Sequence, residues 1–172
     1  MPFVYYNVAA GEKIARVSEN MAMAADMEVR ASSTATTGAY SSACQRGLPA
    51  ILMERGGGGR FTDSEVQAYK RDVKNIMIRM GLLSGEEVHT VQQKNVTRAE
   101  YLEAETDGLW YPVFSAGDTF AGGAVLGTVR DIWGNLLREY RADYPGIVLY
   151  QTVGLGVKTG DPLIAYGEYV DR

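Results

Sequence analysis

One segment of the sequence combines residue types that could carry acid–base chemistry. Pro49–Met53 is a short apolar run, and Glu54, Arg55 and the glycines Gly56–Gly59 come directly after it. Such a run predicts a strand buried on both faces, and a charged residue at the end of a strand in an α/β sheet lies where ligands usually bind. A carboxylate partly removed from water there can act as a general base. Glu54 is therefore the candidate catalytic residue, and the alternative is an exposed charge paired with Arg55 or Arg60.

Two arginines, Arg46 and Arg60, flank this segment and are the candidate substrate-binding residues. A guanidinium can hold a substrate carboxylate through two parallel hydrogen bonds. The glycine run could also cradle an anion, but it lacks the Gly-Lys-Ser/Thr ending of a P-loop. We therefore do not expect a nucleotide.

The residues that bind metals and form disulfides are scarce. The chain has a single histidine, His89, and a single cysteine, Cys44. An intrachain disulfide and a zinc site built from several cysteines are both excluded. We expect Cys44 to be a small buried residue and His89 to have no catalytic role, so no metal ligands are assigned within this chain.

Charge and hydropathy limit the class of partner. The net charge of −4 argues against a nucleic-acid binder. No apolar run approaches the roughly 20 residues that span a bilayer, and the N-terminus shows no signal-peptide pattern. We therefore expect no membrane partner and a cytoplasmic location.

Residues 1–86 alternate helical and strand patterns, which predicts a layered α/β arrangement. Thr62 and Glu65 form a capping-box pattern at the start of an amphipathic helix that ends near Gly81. The remaining predicted elements are helices over 12–25 and 39–46 and strands over 27–31 and 49–53.

Residues 87–98 are polar and are predicted to form a linker, and residues 99–172 read as an all-β domain. Turn signals there separate predicted strands near 100–106, 109–115, 125–130, 135–142, 146–153 and 162–170. Ser115–Thr119 and Lys158–Pro162 each place a Gly-Asp turn before an apolar strand. This echo suggests two similar half-units, in a small barrel or sandwich.

Three segments together resemble the C-terminal portion of the succinylglutamate desuccinylase/aspartoacylase family, which are zinc-dependent, carboxypeptidase-like deacylases. They are Gly47–Gly56 with its Pro, apolar strand and Glu; the helix end Asn75–Leu83; and the run from Phe114 through Asp131–Gly134 to Val148. The resemblance implies a partial carboxypeptidase-like α/β layer followed by a small all-β barrel-sandwich domain, similar to a lipoyl/biotinyl-type hybrid barrel. The turn Arg130–Gly134 has no lysine, so we expect no lipoylation or biotinylation.

The resemblance also implies a mechanism. In the family a zinc ion activates a water molecule and a glutamate at a strand end transfers its proton, and Glu54 matches that glutamate by position. The zinc ligands of the family lie upstream of a segment like Pro2–Asn7 and so have no counterpart in this chain. We therefore expect zinc in the full family protein and no catalytic zinc held by this chain alone.

The resulting hypothesis is part of a zinc-dependent deacylase that acts on an N-acyl amino acid or a similar small molecule. The alternative is a non-catalytic binding or oligomerisation module derived from that fold. Missing strands would leave an exposed sheet edge, so we expect either self-association or pairing with a missing N-terminal segment.

Overall fold

The computed structural model describes residues 1–169, so the last residue of the strand predicted over 162–170 lies outside the described residues. The chain divides into two compact units. One holds Pro2–Thr97, and the other holds the chain from Arg98 onward together with Met1. The first is α/β and the second is all-β, as the sequence predicted.

The α/β unit contains a four-stranded sheet with the order β3-β1-β2-β4. Its strands are β1 (Phe3–Asn7), β2 (Val29–Ser33), β3 (Ile51–Glu54) and β4 (Lys94–Val96), and its helices are α1 (Glu12–Ala24), α2 (Ala39–Gln45) and α3 (Asp63–Arg79). β1, β2 and β4 are parallel, whereas β3 runs antiparallel to β1. The core includes Val4 and Met27, with Ile51, Met53 and Tyr69 packed against it.

Local sequence signals explain α3. Thr62 accepts a hydrogen bond from the Glu65 amide, and the Glu65 carboxylate accepts from the Thr62 amide at 2.7 Å. This capping box satisfies two of the amides that a helix N-terminus leaves without partners. The helix therefore begins where the sequence predicted and ends at Arg79, just before Gly81.

Residues 87–97 differ from the predicted linker, because they are packed into the α/β unit. β4 pairs with β2, and the Asn75 side chain donates to the Val88 carbonyl and accepts from its amide. The polar composition that suggested a linker instead supplies hydrogen bonds to a surface segment. The boundary between the two units lies at Thr97 and Arg98.

The all-β unit contains two four-stranded sheets, with the orders β5-β12-β10-β7 and β11-β6-β8-β9. Their strands are β5 (Ala99–Glu103), β6 (Gly108–Pro112), β7 (Thr119–Phe120), β8 (Val125–Arg130), β9 (Leu136–Arg141), β10 (Gly146–Gln151), β11 (Gly156–Val157) and β12 (Pro162–Glu168). Within the described residues neither sheet closes on itself. Leu126, Val148, Leu163 and Tyr166 lie in the shared core.

Several glycines allow close packing in this unit, and the closest approach is at Gly127. A Cβ atom at Gly127 would lie 2.2 Å from the Trp110 ring. Trp110 is buried and meets the edge of the Tyr140 ring at a centroid distance of 5.7 Å. Gly127 therefore makes room for the indole on β6.

The two Gly-Asp turns of the echo are built alike. The Asp118 carboxylate accepts from the Ser115 amide and the Asp161 carboxylate accepts from the Lys158 amide, both at 2.8 Å. Each turn also exchanges two backbone hydrogen bonds with one facing residue, which is Val148 for the first turn and Ala104 for the second. The echo in the sequence thus corresponds to a repeated local structure.

Candidate functional site

Glu54 is the last residue of β3 and lies opposite Phe3 of β1. Leu52 and Glu54 are exposed, whereas Ile51 and Met53 are half-buried, because successive strand residues point to opposite faces. β3 is therefore not the fully buried strand that its apolar run predicted. The Glu54 carboxylate makes no hydrogen bond or ion pair with any described residue.

The direction of β3 corrects the reasoning that singled out this residue. Because β3 is antiparallel to its neighbour, its carboxyl end lies beside the amino ends of β1 and β2. Glu54 is thus at the sheet edge opposite the one formed by the carboxyl ends of the parallel strands. The rule for parallel α/β sheets does not place a ligand at Glu54, and its candidacy depends on the sequence resemblance to the family and on its free carboxylate.

Arg55 does not pair with Glu54, as the alternative interpretation suggested. Its guanidinium binds the Asp72 carboxylate of α3, with Nε at 2.9 Å and Nη2 at 2.7 Å from Oδ2. Nη2 also donates to the Asp26 carbonyl at 2.8 Å. The Arg55 side chain is 8% exposed and that of Asp72 is fully buried.

Asp26, which lies just after α1, extends this polar cluster to the segment before β4. Its carboxylate accepts from the Thr90 amide and hydroxyl, both at 2.7 Å, from the Val91 amide and from the Arg71 guanidinium. Burial alone would raise the pKa of Asp26, but these hydrogen bonds together hold the pKa below its usual value. The Asp26 amide in turn donates to Asp72 at 2.8 Å.

Tyr69 of α3 lies beside the same strand end. Its hydroxyl donates to the Met53 carbonyl at 3.2 Å, and the Arg55 guanidinium lies 5.8 Å from its ring centroid. Burial raises the pKa of Tyr69, and the negative charge of Glu54 adds to this increase. The residues on both sides of Glu54 are therefore held by α3.

The structure does not bring the two predicted substrate-binding arginines against Glu54. Arg46 is exposed at the C-terminus of α2, before β3 begins, and Arg60 is exposed in the glycine turn after β3. Within residues 1–169 neither guanidinium forms an ion pair. Both remain free to bind an anion, and their roles stay predictions.

The glycine run forms a tight turn. Gly57 and Arg60 pair across it, and Gly58 and Gly59 both have positive φ values, of 59° and 69°. Positive φ at both central positions suits glycine. The adjacent α3 N-terminus carries Asp63 and Glu65, so acidic side chains already occupy the end at which an anion would bind.

The described residues do not form a metal-binding site. Across residues 1–169 there is no group of three or more His, Cys, Asp or Glu side chains that could hold a metal ion. His89 lies 2.9 Å from Glu87, and the Glu87 carboxylate also binds Arg79. Cys44 is buried and contacts the Ala50 carbonyl and the Ser18 hydroxyl, as expected for a residue in the core.

Sequence reasoning missed Asp26, Asp72 and Tyr69. The sequence pattern places Tyr69 only on the apolar face of its helix, and the aspartates lie 46 positions apart. No spacing signal links such residues before the fold is known.

In the part of the chain that the structure describes, no helix is long and apolar enough to cross a membrane.

Comparison with known proteins finds one related sequence and several related structures. No protein-family model matches the chain. The N-alpha-acetyl-L-2,4-diaminobutyric acid deacetylase of Halomonas elongata is 28% identical over 127 residues, which cover 70% of this chain and 37% of that protein.

Solved structures match nearly the whole chain. The product-bound ectoine utilization protein EutE (DoeB) from Ruegeria pomeroyi matches 98% of it with a TM-score of 0.86 at 23% identity. A succinylglutamate desuccinylase/aspartoacylase from Rhodobacter sphaeroides matches 98% with a TM-score of 0.81 at 22% identity. Each match covers 54% of the solved chain, so this chain spans about half the length of those structures.

Proposed function

Because the chain resembles the C-terminal portion of the succinylglutamate desuccinylase/aspartoacylase family, we propose that it is part of a zinc-dependent deacylase. The substrate class is an N-acyl amino acid or a similar small acylated molecule. The Halomonas elongata relative removes an acetyl group from a diaminobutyric acid, as its name states, which supports this class. The finer resemblance of the all-β unit to a barrel-sandwich hybrid domain and the cytoplasmic location are part of the same proposal.

The observation that carries the proposal is the free carboxylate of Glu54 at the end of β3. A carboxylate that is paired with a cation is a weaker base, because the positive charge lowers its pKa. Arg55, the nearest arginine in sequence, is bound instead to Asp72. Glu54 accepts a proton from the attacking water and transfers it to the leaving amine as the C–N bond breaks.

The zinc ion of the proposal does not fit the described residues. No cluster of ligating side chains is present within residues 1–169, and His89 lies against Glu87. The proposal therefore places the metal ligands on another segment or another chain. No step of the reaction is assigned to a metal held by this chain.

An assay of amine release tests the proposal. The chain is mixed with a polypeptide that supplies metal ligands, for which the unmatched part of the Halomonas elongata relative is a source. Substrates are N-acetyl-2,4-diaminobutyrate, N-succinylglutamate and an N-acylaspartate. We expect Glu54→Gln to lower kcat by about 100-fold or more, which is the usual contribution of a general base.

Glu28→Gln is the matched control, because Glu28 is an exposed carboxylate that precedes β2 at the same sheet edge. It should leave kcat unchanged. Arg46→Met and Arg60→Met should raise KM for anionic substrates if these arginines orient them. Turnover that is equal in the wild-type mixture and in the Glu54→Gln mixture contradicts the catalytic role.

The uncovered edge of β3 favours the second candidate, a binding or oligomerisation module without turnover. Within the described sheet, β3 pairs on one side only, and Leu52 is 37% exposed. Unpaired strand edges are templates for another strand. Absence of turnover in every mixture, together with stable self-association, favours this candidate.

A further inference from the structure

We propose that Arg55 is a positioning residue, which holds the backbone at the end of β3 so that the Glu54 side chain projects from a fixed point on one face of the sheet. This inference rests on the proposed role of Glu54. In this role Arg55 restrains the backbone next to Glu54 through its contacts with Asp72 and the Asp26 carbonyl.

The backbone immediately after Glu54 has little intrinsic restraint. The pairing of β3 with β1 ends at Glu54, and four glycines begin two residues later. Glycine has the greatest backbone freedom of any residue, so a strand that ends beside such a run tends to fray. Arg55 is the single residue between the strand end and this run.

The contacts of Arg55 attach the end of β3 to the rest of the α/β unit. Its guanidinium donates one hydrogen bond to the Asp72 carboxylate on α3 and makes a second ionic contact with the same carboxylate oxygen. It also donates a hydrogen bond to the Asp26 carbonyl after α1. Because the guanidinium is planar and rigid, contacts with two separate groups fix its direction as well as its position. Arg55 thus ties the strand end to two separate segments of the unit.

The carbonyl on the other side of Glu54 is also held, because Tyr69 donates to Met53. Met53 and Arg55 point toward α3, while Glu54 points to the opposite face. The side chain of Glu54 is therefore free while its backbone is fixed on both sides. The fixed backbone keeps the carboxylate within reach of one place on that face, and small displacements from the reacting atoms lower the rate of proton transfer sharply.

The aspartates that hold Arg55 are themselves fixed. Asp72 also accepts from the Asp26 amide, and the Asp26 carboxylate is bound by Arg71 and Thr90. Arg71 thus offers a matched control. It binds the other aspartate of the cluster and, among the described residues, forms no hydrogen bond or ion pair with β3.

The experiment compares Arg55→Met, Arg55→Lys and Arg71→Met in the whole chain. Hydrogen exchange of peptides that cover Ile51–Arg55 is measured together with the global stability of each variant. We expect Arg55→Met to speed exchange of this strand at least 10-fold more than its loss of global stability explains. Arg55→Lys should restore part of the protection, and Arg71→Met should change this strand only in step with global stability.

A second readout addresses the carboxylate itself. The carboxyl carbon resonance of Glu54 should shift and broaden in Arg55→Met and not in Arg71→Met. In the mixture that turns over, Arg55→Met should lower kcat at least 10-fold with little change in KM. If exchange of the strand in Arg55→Met follows global stability and the Glu54 resonance is unchanged, the positioning role is wrong.

The two proposals can fail separately. Local exchange and the Glu54 resonance are measured on the chain without turnover, so they judge Arg55 even if no deacylase activity is found. If Arg55→Met is unfolded, Arg55→Lys serves for the same comparison, because lysine keeps the positive charge but lacks the planar guanidinium that contacts Asp72 and the Asp26 carbonyl together.

Discussion

At the scale of single residues, buried carboxylates organise the candidate site. Asp26 and Asp72 have fully buried side chains and bind Arg71 and Arg55. Removing one partner of a buried pair leaves a charge without compensation and is costly. The free carboxylate of Glu54 thus lies next to a cluster in which every charge is matched.

The lowered pKa of Asp26 makes the free energy of unfolding depend on pH in the acid range. Its pKa is lowered from 3.8, so it stabilises the folded chain above that pH, and this contribution is lost as the pH falls through the folded-state value. We expect wild-type chain to be more stable than Asp26→Asn at pH 6, with a difference that shrinks below about pH 4. Chemical denaturation across this range measures the difference. A difference that stays constant would contradict the role of Asp26.

The sequence predicted the position of Glu54 at a strand end but not the partners around it. The apolar run before Glu54 identifies a strand, because local pattern reports burial. The pairing of Arg55 with Asp72 requires two elements to meet in space, and no residue spacing records that. Arg55 and Arg60 were the natural partners for Glu54 in sequence, and the fold uses neither.

At the scale of elements, local signals predicted helices better than strands. The Thr62 capping box located the start of α3. β4 was missed because Lys94–Val96 is short and polar, and its strand conformation comes from pairing with β2. The antiparallel direction of β3 was also missed, because an apolar run has the same pattern in either direction.

The close approach of Gly127 to Trp110 tests whether the all-β core can accept an added methyl group. Gly127→Ala places a methyl group against the Trp110 ring, and overpacking of this kind costs about 1–3 kcal/mol of unfolding free energy. Gly156→Ala is the control, because nothing lies within 4 Å of a Cβ at Gly156. Urea denaturation followed by tryptophan fluorescence measures both. Equal losses in the two variants would show that the indole can move aside.

At the scale of the whole molecule, the edge of β3 predicts association. With Leu52 37% exposed and β3 paired on one side in the described sheet, we expect dimers or larger species at micromolar concentration. Leu52→Lys should shift the chain toward monomer in sedimentation velocity. Leu83→Lys, at another exposed leucine, should not. A wild-type chain that sediments as a monomer would contradict this expectation.

The two Gly-Asp turns of the all-β unit carry a consequence for its origin. Each is closed by an aspartate that binds the amide three residues earlier, and each exchanges a pair of hydrogen bonds with one facing residue. Tandem joining of a gene segment to its own copy would leave such an arrangement.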